Sequence, residues 1–364
     1  MKMTFKQRVE NFWNEFCLQE SEIRRLIEEQ ADAQLIMSKM KQIVNLAFND
    51  ISFEIGYKEK YELTLTPEGD RSKLFLVEYW RKNSKESLKK NWNFYSYKQA
   101  VPNGKDMELR IYDIILGKED YHISYKIDET KRKLNLQIYS PKLMEIDEEK
   151  RYSVIFMALD QYIGEIYAME YIGQVAFVDN QLSDMVNLIE LKNELNMIIT
   201  QRGWSNLDDP CQCYMPYKMN PQQKNEFKFR DDVIAGFTSC IQILNQYYFD
   251  LSNSFDGAFE NGAVYGFVFY ENPVMPKNDV IALRTDIEQD ILYKTSKSGC
   301  ADVIGGAIGV YYSYIDFLIY DLPSFIKTVK EVFTEYPIAT YGFSEFKRNG
   351  NVMKLKGKDP DTLN

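Results

Sequence analysis

Two periodicities alternate in a fixed order between residues 263 and 346, and no other feature of the sequence constrains its fold so tightly. Ala263–Glu271 reads as a strand. In Asp279–Thr295, Val280, Leu283, Ile287 and Ile291 fall on one helical face, with Asn278 as a cap. Ala301–Gly309 and Tyr311–Asp321 read as strands. Leu322–Tyr336 reads as a helix with Pro323 in its first turn, where a missing N–H costs nothing. Thr340–Phe346 is a last strand. The order is β-α-β-β-α-β, the split βαβ or ferredoxin-like arrangement.

The preceding half can be read in a related order. Residues 4–49 are helical, as two helices with a break near Gln19–Glu22; Phe5, Val9, Trp13 and Phe16 recur at helical spacing. Ile51–Tyr57 and Tyr61–Leu65 alternate as strands, and Ser72 can cap the helix that carries Leu74, Phe75, Val77 and Trp80. Strand-like runs follow at Trp92–Tyr97, Leu109–Leu116, Tyr121–Ile127 and Leu134–Tyr139, then a helix over 148–172 and a strand at Gln174–Val178. The expected fold class is α+β, with two ferredoxin-like sandwiches. Element order alone suggests a duplication. The expected divisions are a helical N-terminal extension (1–50), an α+β domain (51–180), a helix and irregular linker (181–232), a ferredoxin-like domain (233–350) and a flexible tail (351–364). The linker rests on Gly203, Asp208-Asp209-Pro210, Pro216 and Pro221.

A chain of 364 residues fits about two domains. A net charge of −10 argues against a general nucleic-acid binder, which would carry a basic footprint. Arg81, Lys82, Lys85, Lys89 and Lys90 do lie beside Trp92, Phe94 and Tyr95, but a solvated helix face followed by a strand accounts for them. Five cysteines, with no second pair beside Cys211 and Cys213, point to reduced thiols in a cytoplasm and to no zinc site. The first residues lack the apolar run of a signal peptide, and no stretch is long enough to span a membrane. The reading is a water-soluble, intracellular protein.

Few residues suggest chemistry. His122 is the sole histidine and sits in an alternating strand. Gly305–Gly309 lacks the Lys-Ser/Thr of a P-loop and precedes a strand, so close packing explains it better than phosphate. Asp316 shares a strand face with Tyr312, Tyr314, Leu318 and Tyr320, either among their hydroxyls or facing solvent. Glu170 falls in the apolar stripe of the 148–172 helix unless that helix ends before it; Asp160 lies at the stripe's margin and Glu165 opposite. Asp231-Asp232 after Arg230 reads as a solvated acidic loop.

Trp92-Asn93-Phe94-Tyr95, Leu159–Glu165, Asp232–Gly236 and Gly262–Phe267 together resemble a family of bacterial cytosolic proteins of unknown function. The resemblance covers most of the chain after residue 75. It implies a bacterial origin and assigns no activity. The expected function is accordingly non-catalytic binding or regulation through another protein. An immunity-type inhibitor is one form of it, with Tyr312, Tyr314, Trp92 and Tyr95 as contact residues and no cofactor or metal. The alternative is an enzyme using Asp316, Glu170 and Asp160 in a tyrosine-lined pocket, which requires at least two of them to converge.

Overall fold

The computed structural model describes residues 2–101, 108–204, 209–221, 227–249, 254–350 and 352–357. Thr4 opens α1 (Phe5–Glu28) through a capping box with Gln7. Phe5, Val9, Phe12, Trp13 and Phe16 form its buried face. The break expected near Gln19–Glu22 is absent. Nothing there interrupts the helix, and the Glu20–Arg24 pair spans the place at i,i+4. The chain turns instead at Gln30, whose φ is 50°, and Asp32 caps α2 (Ala33–Ala47).

The strands of the first half are β1 (Ser52–Tyr57), β2 (Tyr61–Thr66), β3 (Trp92–Tyr95), β4 (Leu109–Ile111), β5 (Ile114–Leu116), β6 (His122–Asp128), β7 (Lys133–Tyr139), β8 (Ile172–Phe177) and β9 (Val186–Asn187). Its further helices are α3 (Arg71–Lys82), α4 (Pro141–Met144), α5 (Glu148–Tyr162), α6 (Glu165–Tyr171) and α7 (Leu188–Arg202). Asp70, rather than Ser72, caps α3; Ser72 donates to the Asp70 carboxylate. The run expected as one strand over Leu109–Leu116 is a hairpin, folded where Tyr112 and Asp113 take φ of 50° and 64°.

These strands divide into three sheets, β1-β2-β3, β4-β5 and β8-β7-β6-β9. The expected second sandwich is corrected on this point. Alternation decides which face of a strand is buried and leaves open which neighbour it pairs with. The 148–172 helix is also broken, at Gly164, where φ is 95° and an added Cβ would lie 3.4 Å from the Ala100 amide nitrogen.

The second half holds β10 (Met215–Lys218), β11 (Val233–Thr238), α8 (Ile241–Phe249), α9 (Ser254–Glu260), β12 (Val264–Glu271), α10 (Lys277–Ser298), β13 (Ala301–Gly309), β14 (Tyr312–Ile319), α11 (Leu322–Val332), β15 (Tyr341–Glu345) and β16 (Val352–Lys356). One antiparallel sheet runs β10-β11-β13-β14-β12-β15-β16. Its β13-β14-β12-β15 centre comes from the segment whose alternation was strongest.

Both faces of this sheet are covered. On one, Val268, Phe317 and Phe343 pack with Ile287 of α10 and with Phe325 and Val329 of α11. On the other, Phe267, Tyr314, Leu318 and Tyr320 join a core that runs through α1, α3 and the first-half sheets. The Phe5 ring lies 6.0 Å from that of Tyr320, and the Tyr79 ring stacks on Tyr320 at 3.8 Å. Tyr265 donates its hydroxyl to the Ser72 carbonyl. The N-terminal helices are thus part of the core rather than an extension, and the expected linker contributes β10. Val352–Lys356 of the expected tail is a sheet strand; residues 358–364 of it lie outside the described residues. No helix among the described residues is long and apolar enough to cross a membrane.

Candidate functional site

Arg230 precedes β11 in a left-handed conformation, φ 70°, and is 1% exposed. A buried guanidinium must have its donors and its charge answered. Its Nη1 donates to Asp316 Oδ1 at 2.5 Å and its Nη2 to the Tyr217 hydroxyl at 2.7 Å. Its carbon lies 4.7 Å from the Phe346 ring centre, 5.2 Å from Tyr314 and 5.3 Å from Phe267. Burial opposes the charge on Arg230, but Asp316 and the surrounding tyrosines outweigh it and hold the guanidinium cationic. Burial pushes the Asp316 carboxyl up, against the pull of Arg230 and Arg284.

The neighbouring residues extend this hub. The Arg230 amide donates to the Tyr314 hydroxyl, which in turn donates to Asp232 Oδ1 at 2.5 Å. Asp232 Oδ2 accepts the amides of Tyr311 and Tyr312 at 2.9 and 3.0 Å, fastening the β13–β14 turn. Asp231 pairs with Arg348. The triplet expected as a solvated loop is therefore buried.

The glycines supply clearance for these groups. A Cβ on Gly306 would lie 2.0 Å from Arg284 Nη2, one on Gly309 2.2 Å from Asp232 Oδ2, and one on Gly236 2.6 Å from the Tyr217 hydroxyl. Such gaps accept no side chain, which explains the Gly305–Gly309 run by packing.

The hub holds two surface features. At one end of the sheet, Phe227 (37% exposed), Val310 (47%) and Tyr311 (61%) form an apolar tip. The Phe227 ring lies 6.3 Å from Tyr311 and 5.7 Å from the buried Tyr312. The Asn272 amide donates to the Tyr311 carbonyl at 2.8 Å, which brings the loop carrying fully exposed Val274 to the same end. The second feature is a cleft of about 490 Å³ between the end of α8 and the turn linking β15 to β16.

The three acid–base candidates do not converge. Asp316 belongs to the hub. Glu170 pairs with Arg71 Nη1 at 2.8 Å. Asp160 lies 3.8 Å from Lys98 Nζ, and its carboxyl is pushed up to about 7, first by burial and then by Glu165. Glu165 was expected opposite the apolar stripe and is instead 1% exposed. The Gly164 break re-phases the helix and turns Glu165 inward, where it accepts from the Thr66 hydroxyl and the Gly69 and Lys98 amides.

Of the expected contact residues, Tyr312, Tyr314 and Trp92 are buried and Tyr95 is half-buried. They were placed by strand alternation on a face expected to be open, and the first half of the chain covers that face. Trp92 donates from Nε1 to Glu20 at 2.8 Å. In the basic stretch, Arg81 pairs with Glu78, Lys82 with Asp209 and Lys89 with Glu86, so these three cations are already matched. His122 is half-buried on β6 with its ring 6.1 Å from Tyr139. Cys211 and Cys213 are buried, and burial pushes both thiols up, away from the nucleophilic form. Among the described residues no group of three or more His, Cys, Asp or Glu side chains could hold a metal ion.

No direct signal marks Arg230 in the sequence, because three adjacent charges look like a loop. The indirect signal was Asp316 on a strand face otherwise apolar or aromatic, which calls for a cation from elsewhere in the chain. Comparison with family models, with curated proteins and with solved structures returned no match for this chain.

Proposed function

We propose that this is a non-catalytic binding protein that docks another protein on the apolar end of its large sheet. The observation that carries this reading is the tip formed by Phe227, Val310, Tyr311 and Val274. Four exposed apolar side chains at one place resemble the anchors of a protein interface. They are held in advance: Asp232 fastens the turn that bears Val310 and Tyr311, and the buried Tyr314 hydroxyl holds Asp232. Binding then costs little ordering of the backbone. The whole chain carries −10, so the reading favours a basic partner. An immunity-type inhibitor that covers a basic enzyme in a bacterial cytosol is the concrete form of this proposal. The strand order β13-β14-β12-β15, with α10 and α11 on one face, supports reading the platform as a ferredoxin-like unit widened by β10, β11 and β16.

The test compares the native chain with Val310→Asp/Tyr311→Asp in co-purification from the source cell. Both side chains are exposed, and Asp232 holds the turn through main-chain amides, so the variant keeps its thermal midpoint. The proposal expects a stoichiometric basic protein that the variant loses. A partner retained by the variant, or none at all with the native chain, refutes it.

One observation favours carboxylate catalysis as a second reading. A carboxyl pushed up to about 7, as Asp160 is, suits general acid–base work at neutral pH. This reading narrows the candidates to Asp160 with Glu165 as its neighbour. It requires that any turnover found in the purified protein disappear in Asp160→Asn.

A further inference from the structure

We propose that the cleft between α8 and the β15–β16 turn binds a small organic anion that carries a planar ring. Its volume of about 490 Å³ lies within the usual range of ligand sites and far exceeds the space of a few waters. Its walls include Tyr248, Phe249, Lys347 and Arg348, and among the described lining residues none is a carboxylate.

The cationic side is already positioned. Arg348 is fixed by Asp231 through one amino group and lies 5.5 Å from the Tyr247 ring centre. Its other amino group, Nη1, and the second oxygen of Asp231, Oδ2, are both buried without a hydrogen-bond partner among the described residues. The Arg348 side chain as a whole is 25% exposed and lines the cleft, so an anion there meets its charge. Lys228 adds a third cation at the rim, donating to the Asn349 side chain at 2.8 Å. Asp231 offsets one of these three positive charges and leaves an excess.

The aromatic side consists of two rings tilted 53° to each other. Phe249 is 63% exposed, and its ring lies 6.3 Å from that of the half-buried Tyr248. The Tyr248 hydroxyl is held by the Arg230 carbonyl at 3.1 Å, so its ring is not free to swing. A flat ring lying on the exposed Phe249 places a phosphate or carboxylate toward Lys347 and Arg348. This inference rests on different side chains from those of the apolar tip, and either can fail alone.

Calorimetric titration with adenosine monophosphate tests it, since that probe carries both halves of the ligand. Inorganic phosphate and adenosine serve as single halves, and naphthoate as a planar carboxylate. The expected result is saturable one-to-one binding of adenosine monophosphate or naphthoate that weakens with added salt, with phosphate and adenosine each at least about tenfold weaker. Lys347→Gln and Phe249→Ala should each reduce affinity about tenfold with an unchanged thermal midpoint. Absence of binding by both planar anions overturns the proposal. Binding that neither substitution alters, or phosphate binding as tightly as the nucleotide, overturns it equally.

Discussion

At the scale of single residues, the chemistry of this protein is set by where its charges are buried. Arg230 and Asp316 sit together with almost no contact with water. Removing one member leaves the other uncompensated, which costs far more than the net worth of the pair. Asp316→Ala is expected to lower stability by about 3–5 kcal/mol in urea unfolding. The double change Arg230→Met/Asp316→Leu is expected to lose less than the sum of the single changes.

Asp160 supplies a pH effect of definite sign. Its folded carboxyl holds a proton up to about 7, whereas its ordinary value is 3.8. Between those values the folded state binds more protons, so this contribution is complete below the lower value and is lost as pH rises through the upper one. Its size is at most on the order of 4 kcal/mol. Asp160→Asn should flatten that part of the stability profile, read as a gain over the native chain at pH 8 that shrinks at pH 4. Helical spacing puts Asp160 at the stripe margin and Glu165 on the opposite side; that the two and Lys98 are neighbours is not legible there, because they meet only where Gly164 bends the chain.

At the scale of elements, two glycines carry much of the geometry. Gly164 ends one helix and starts another in a conformation that L side chains avoid, so Gly164→Ala is expected to cost about 1–2 kcal/mol. Gly306→Ala should cost more, since its Cβ would overlap the Arg284 guanidinium and the Tyr314 carbonyl. Chemical denaturation of both variants checks the order. The elements of residues 263–346 were legible because each combined a regular period with a clear boundary. The runs at 109–116 and 148–172 were legible as apolar and not as broken, since Tyr112-Asp113 and Gly164 act through backbone angles that periodicity does not report.

For the whole molecule, the two-sided burial of the large sheet is decisive. Phe267, Phe269, Tyr312, Tyr314 and Leu318 belong to the core shared with the N-terminal half. A fragment comprising residues 233–350 should therefore expose them and either aggregate or bind an apolar dye, and the full chain should lose near- and far-ultraviolet dichroism in one transition. Separate transitions for the two halves would contradict that shared core.

Local spacing by itself determined the α+β class, the order of elements over the last hundred residues and the parity that puts Asp316 beside Tyr314. These follow from side-chain periods of two and 3.6, which are properties of neighbouring residues. Only the tertiary structure decided that the sheet is covered twice, that Arg230 reaches Asp316 across 86 positions of chain, and that the expected contact tyrosines are interior. Those outcomes depend on which distant surfaces meet, and a hydrophobic period shows that a face must be buried without naming what buries it.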